Sequence, residues 1–372
     1  MSLVADPDPL NIALTEDLSH LPVVKNAIIT TLWGENISDE QYAYNEPRYI
    51  AYLKYYENEC RHSARTVPFT THRETVDAIM AISGARQQPF GDLQNILAEK
   101  KRWPTFATSP PEWQTRGITL CLRLLLMINI RDRRDGGIVA GARDIEWSDN
   151  FSVVSFVQSS LPDGRVTFST DDKCLDDGFN VLSLERFANV HLVFTDNLAD
   201  HLVFHRETRR LHIFRCGYFL TLHLSPSDRT TLCSNIFDMD FLHETRQTLD
   251  LLFPRHSGRC TEYLRKLQER KQLDLEFGRI PIGTPSKRIE QPFTLSDFQF
   301  YGKRLAILID AFDSAKPTSL SQLWYDRRNK QTWYTMWIAV TVFFLTLLFG
   351  LISSVTGIMQ VWAAYNPKSI SN

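Results

Sequence analysis

No two of the six cysteines, at positions 60, 121, 174, 216, 233 and 260, stand at CxxC spacing. Neither a zinc ribbon nor a thioredoxin-like redox pair is indicated. Scattered cysteines in a chain of 372 residues suit a reducing compartment, where they pack as small hydrophobes. The opening stretch MSLVADPDPLNIALTEDLSH has no basic patch followed by an apolar run, and carries Asp6, Asp8, Glu16 and Asp17 instead, so no secretory leader is expected. Also missing are GxSxG, GxxxxGKS/T and GxGxxG, the signatures of a hydrolase elbow, a P-loop and a dinucleotide fold. A net charge of −2 gives no global pull toward nucleic acid, and no nucleic-acid partner is expected. The basic clusters Lys100 to Arg102, Arg131 to Arg134 and Arg206 to Arg210 are short, mostly sit beside acids, and read as solvated loops or helix ends.

The longest absence lies between Gln331 and Pro367, which contain no Asp, Glu, Lys or Arg. A bilayer crossing needs about 20 apolar residues for ~30 Å of hydrocarbon. From Trp337 to Trp362 the chain runs for about 25 residues, or ~37 Å as helix. Trp333, Tyr334 and Trp337 mark one interface, and Trp362 and Tyr365 the other, as an aromatic belt does. Lys316, Arg327, Arg328 and Lys330 precede the span and only Lys368 follows it, which places the N-terminal bulk in the cytosol. The layout is that of a tail-anchored, single-pass protein, with the identity of the membrane open. A second apolar stretch, residues 117–131, is interrupted by Arg123 and too short to cross, so it reads as a buried core helix. The sequons at Asn36 and Asn150 are expected to be chance matches in a cytosolic region.

What is present elsewhere is the composition of a folded protein, 43% hydrophobic and 12% aromatic. Residues 1–16 read as a loosely ordered, acidic N-terminus. Residues 17–316 read as a cytosolic α+β domain with a possible subdivision near 110, 317–332 as a basic, aromatic juxtamembrane helix, 333–363 as the span, and 364–372 as a short lumenal or extracellular tail. Helical spacing predicts helices over 72–85, from Gly91 to Lys101, from a cap at Ser148 or Asp149 through Val157, and over 240–254, 260–272 and 295–312. Strand-like runs at Val190 to Phe194, Leu202 to His205 and Leu211 to Phe214 predict a small central antiparallel sheet, the last two as a hairpin. The expected fold is therefore mainly helical α+β, plus one C-terminal transmembrane helix.

Chemistry-bearing residues are most concentrated in this middle region. His191, His201, His205, His212 and His223 fall there, with His201 and His205 expected on one face of a strand and Asp196 and Asp200 in the adjoining loop. Such groups ligate zinc or move protons, although their spacing matches no ligand signature and strand histidines are usually half-buried structural residues. Neither a metal nor a cofactor is expected. The acidic loop at 170–185 fails as a calcium loop: placing Gly178 at the sixth position puts Lys173 first and Leu184 last. His243-Glu244 lacks the second histidine of a zincin, and Cys216 beside Gly217 reads as core. Within the span, Thr346, Gly350, Ser353, Ser354 and Gly357 share one helical face and form small-xxx-small pairs suited to homo-oligomeric contact.

Two segments, TDNLADHL at 195–202 and LSQLWYDRRNKQTWYTMW at 320–337, resemble a family of predicted membrane proteins of filamentous fungi, which end in a W-Y-D-R-R-N segment, a W-Y-x-x-W motif and an apolar span. Trp324, Tyr325, Asp326, Arg327, Arg328, Asn329, Trp333, Tyr334 and Trp337 carry the likeness. It implies the architecture and a fungal source, and brings no activity. The leading reading is a membrane-anchored binding or scaffolding module with a cytosolic protein partner and a lipid bilayer as its support. The alternative is a membrane-anchored enzyme, or an accessory protein of a fungal biosynthetic or stress pathway, working near the central His/Asp cluster.

Overall fold

The computed structural model describes residues 8–35, 38–99, 103–131, 145–146, 150–162, 174–175, 178–224, 236–277, 293–315 and 330–365. It divides into two units, Met1–Glu185 with Asn189–Asp310, and Arg186–Ala188 with Ala311–Asn372.

The first unit begins with α1 (Pro22–Trp33), started by proline at its N-terminus and closed by Gly34 in the left-handed region at φ 67°. A capping box between Ser38 and Gln41 starts α2 (Asp39–Ser63). Along α2, Tyr42, Tyr49, Tyr52 and Tyr56 recur at helical spacing and are all fully buried. Another box, Thr71 with Glu74, starts α3 (His72–Gly84), followed by α4 (Phe90–Glu99) and α5 (Pro104–Thr108).

The stretch expected as a core helix is α6 (Pro111–Leu126), whose residues from Ile118 to Leu126 are buried except Arg123. It packs on α2 and α3. Its last turn is tied to α2 by two hydroxyls: Tyr52 donates to Leu124 O and Tyr55 to Arg123 O, each at 3.1 Å, the latter carbonyl also accepting from Met127 N–H. This explains why tyrosine, and not leucine, lines that face of α2.

Residues 8–16 are more ordered than their composition suggests. Leu10 and Leu14 are buried, Asp8 pairs with Arg73, and Leu14 N–H donates to Thr70 O. A polar, proline-containing segment is held because two leucines at spacing four reach the core and its acid meets a guanidinium.

Short strands β1 (Ile130–Arg131) and β2 (Ile145–Glu146) pair in parallel, after which come α7 (Val153–Ser160), β3 (Cys174–Leu175) and α8 (Val181–Ala188). α7 is capped by Ser152, a few residues later than the expected Ser148 or Asp149. The central sheet holds β4 (His191–Thr195), β5 (Phe204–His205) and β6 (Arg210–Phe214) in the order β4-β6-β5. The β5–β6 hairpin is antiparallel as expected, whereas β4 joins β6 in parallel, so the sheet is mixed. The parallel pairing follows from the crossover between β4 and β6, which carries the 3-10 turn Leu198–Asp200 and the short β5. β5 starts at Phe204 and not at Leu202, because Leu202 adopts φ 60°.

The helices α9 (Gly217–Leu224), α10 (Met239–Leu252) and α11 (Gly258–Glu269) follow, then β7 (Phe293–Thr294), which pairs antiparallel with β3, and α12 (Gly302–Asp313). The expected helix over 295–312 divides into a 3-10 turn, Leu295–Asp297, and α12. Gly217 opens α9 where the chain has no room for a side chain: a Cβ there would lie 2.4 Å from Phe277 N.

In the second unit, α13 (Lys330–Tyr365) runs for 36 residues. Its segment Trp333–Trp362 is long and apolar enough to cross a membrane, and none of it is buried in the structure. The juxtamembrane residues Arg327 and Arg328 lie outside the described residues, and Lys330 is the first residue of α13.

Candidate functional site

The five central histidines do not gather at one place; of them, His205 and His212 have rings in contact. His201 is not on a strand; it closes the 3-10 turn Leu198–Asp200 and is fully buried. Both its ring nitrogens are engaged. Phe214 N–H donates to Nδ1 at 3.2 Å, which assigns the proton to Nε2, and Nε2 donates to Thr248 Oγ1 at 2.7 Å. The Thr248 hydroxyl in turn donates a hydrogen bond to Thr245 O at 2.6 Å, and Thr245 Oγ1 meets the Tyr301 hydroxyl at 3.0 Å. Burial, with the nearby Arg304 charge, holds the His201 pKa down at about 3, so the ring is neutral at physiological pH. Arg304 donates to the carbonyls of both Ala199 and His201. The ring of His201 also meets Tyr301 edge-on at 5.1 Å. This network ties the turn, β6, α10 and α12 together; it leaves His201 no lone pair for a metal or a substrate.

His205, by contrast, lies on the opposite face of the sheet. Leu211 and Ile213 of β6 face the core, so Arg210, His212 and the paired His205 face away. There the rings of His205 and His212 stand 5.2 Å apart at a steep angle. Burial lowers the His212 pKa, with Asp200 opposing. His191 is exposed at the start of β4, and His223 lies in α9, packed edge-on against Trp33 and Phe219. Burial depresses the His223 pKa to about 3.

The two aspartates separate as well. Asp196 takes a two-pronged ion pair from Arg215 at 2.6 and 2.7 Å, fixing the ends of β4 and β6 beside each other. Asp200 is buried in the turn. Among the described residues no group of three or more His, Cys, Asp or Glu is placed to hold a metal ion.

Three polar residues that the sequence did not mark as candidates for this region, Glu244, Asp274 and Arg246, carry much of it. Glu244 of α10 accepts the N–H groups of Gln299, Phe300 and Tyr301 at 2.8, 3.0 and 2.6 Å, just before α12 begins. In the sequence Glu244 stands out only with His243, as part of an incomplete zincin motif. Asp274, fully buried, accepts from Tyr218 N at 3.0 Å and Phe277 N at 2.7 Å, and burial pushes its pKa up to about 7. Arg246 is buried and donates to Glu276 O. No periodicity or motif marks such residues: the signal is an acid or base inside an otherwise apolar helical pattern, as Glu244 is between Leu242 and Leu249.

The remaining candidate site is α13 itself. Trp333 packs against Tyr334 and Trp337 at 5.3 and 5.8 Å. Tyr334, Trp362 and Tyr365 are exposed, as are the large apolar side chains from Val342 to Val361, while Met336, Trp337 and Val340 are half-buried. On the small-residue face, Thr346 spends its hydroxyl on Val342 O at 2.8 Å, while Gly350, Ser353, Ser354 and Gly357 are exposed. A Cβ at Gly350 or Gly357 would meet nothing within 4 Å. A helix of this length and apolarity is compatible with a membrane span. Comparison with known proteins gave no matching family model, no matching curated protein and no matching solved structure.

Proposed function

We propose that this chain is a single-pass membrane protein whose folded N-terminal domain is held on the cytosolic face of a bilayer as a binding or scaffolding module. The observation that carries the reading is α13: the segment Trp333–Trp362 is uncharged, rimmed by aromatic residues and has no buried residue. The basic residues Arg327, Arg328 and Lys330 on the N-terminal flank support the cytosolic placement, and the tail-anchored arrangement is part of the same proposal. A non-catalytic role is supported by the way the central polar residues are used. His201, Asp196 and Glu244 each spend their polar atoms on neighbouring backbone or side chains, which is the pattern of a framework. A protein partner on the cytosolic face, and self-association along the face of Gly350 and Gly357, belong to this reading. Gly350→Leu is expected to abolish any dimer of the full chain in detergent.

The test is membrane extraction combined with protease protection of the full chain in isolated cell membranes. We expect the chain to resist alkaline carbonate, protease added outside to remove the N-terminal domain, and Asn150 to stay unmodified. Release by carbonate would overturn the anchor. Glycosylation at Asn150 would reverse the orientation.

A further inference from the structure

We infer that the face of the central sheet turned away from Leu211 and Ile213 binds a phosphoryl group, with Arg210 as its fixed cation and His191, His205 and His212 as the surrounding donors. The strand register builds this row. Arg210 of β6 stands opposite His191 of β4 on one side and His205 of β5 on the other, so one guanidinium lies between two imidazoles on the same face. His212, two positions further along β6, points the same way, and its ring stands 5.2 Å from that of His205. His191 and Arg210 are exposed while His205 and His212 are half-buried, so the row is open to solvent at one edge.

These side chains are unspent where their neighbours are not. Among the described residues no hydrogen bond or ion pair engages the side chain of His191, His205, Arg210 or His212. Arg206 of the same hairpin is paired with Asp310 at 3.0 Å, Arg215 with Asp196, and Arg304 donates to the Ala199 and His201 carbonyls. The Nε2 atom of His205 is buried with no partner, a cost that ends when the ring turns to meet an oxygen. Two carboxylates act on the row from its flanks. Asp200 favours the charged form of His212, and Glu185 of α8, which accepts from the Tyr263 hydroxyl at 3.2 Å, interacts with His191. Each carboxylate therefore makes a histidine a better donor, and neither forms an ion pair with Arg210. The donor set selects the ligand. A guanidinium fills both oxygens of a carboxylate by itself, whereas a phosphoryl group offers three terminal oxygens and leaves one for an imidazole N–H.

The experiment is equilibrium dialysis of labelled inorganic phosphate against the full chain in phosphatidylcholine nanodiscs. We expect saturable retention by the parent chain, weakened at least about tenfold in Arg210→Gln and by a smaller factor in His205→Gln. Arg206→Gln removes a charge from the same hairpin that Asp310 already answers, and is expected to retain phosphate as the parent does. Discs that also contain phosphatidic acid distinguish the source of the group. Loss of phosphate retention there, but not in discs with phosphatidylglycerol, supports the site as one for a phosphomonoester headgroup; full retention in both supports it as one for a soluble phosphoryl compound. A parent chain without saturable retention overturns the site, as does equal retention by parent and Arg210→Gln. Equal weakening in Arg206→Gln and Arg210→Gln also overturns it, by showing a general basic surface. None of these outcomes bears on the membrane anchor, which carbonate extraction tests separately.

Discussion

His201 and Thr248 share a buried hydrogen bond of 2.7 Å between imidazole Nε2 and hydroxyl oxygen, and the other ring nitrogen of His201 accepts from Phe214 N–H. A histidine so enclosed acts on stability through its protonation. Its folded pKa of about 3 lies below the value of ~6.5 expected for an unfolded chain. The folded state therefore binds the proton less well, and stability present above pH ~6.5 is lost as the pH falls toward 3. His72, lowered to about 4, and His223, lowered to about 3, act in the same direction. We expect the urea midpoint of the full chain to fall between pH 6.5 and 4, and the fall to be smaller in His201→Gln. An unchanged slope in that variant would show that His201 does not titrate with unfolding. Zinc added at neutral pH is expected to leave the midpoint unaltered.

Glu244→Gln is expected to destabilise the domain by roughly 2–3 kcal/mol, measured by chemical denaturation. The carboxylate accepts three backbone N–H groups with two oxygens. An amide keeps one accepting oxygen and turns an NH2 toward a donor, so at least one buried N–H loses its partner. Its loss frees the turn before α12 without touching the apolar core. Equal midpoints for variant and parent would mean that the turn is held by packing alone.

How far the fold was legible depended on how local its causes are. α3, α10 and α11 announce themselves through spacing and caps, because those signals sit within a turn of the helix they govern. The apolar helix α13 is legible for the same reason: its character is continuous along the chain. The parallel pairing of β4 with β6 was not legible, since Val193 meets His212 only after a crossover whose path depends on Leu202 at φ 60°. Nor was the separation of His201 from His205, because a turn, and not a strand, lies between them. The Tyr218 N–H and the Asp274 carboxylate meet across 56 positions, a relationship with no trace in the pattern around either.

Gly217→Ala is expected to be among the most damaging single substitutions, at about 3 kcal/mol or more. A Cβ at Gly217 falls 2.4 Å from Phe277 N and 2.5 Å from Phe277 Cα, atoms of a backbone that cannot rotate away. Gly91→Ala, in α4, meets nothing within 4 Å and is expected to be neutral or to stabilise by about 0.5–1 kcal/mol. Thermal unfolding of the two variants beside the parent chain checks both signs. A Gly217→Ala midpoint equal to that of Gly91→Ala would show that the 276–277 turn moves freely off α9.

Asp274 sets up the opposite pH dependence to the histidines. Burial raises its folded pKa to about 7 from an ordinary value near 3.8, against the pull of the Tyr218 and Phe277 N–H groups. A raised folded pKa means that the folded state binds the proton more tightly. The resulting stability is complete below pH ~3.8 and is lost as the pH climbs to about 7. Between pH 4 and 6.5 the two effects therefore oppose each other, and the measured slope is their difference. Asp274→Asn removes the compensating group while keeping the shape, at the cost of one acceptor for the two N–H donors. We expect the variant to be less stable at every pH, and its urea midpoint to drop more steeply than the parent's on going from pH 6.5 to 4. A parallel profile would show that Asp274 stays charged inside the domain, held by its two N–H donors at 3.0 and 2.7 Å strongly enough to outweigh burial.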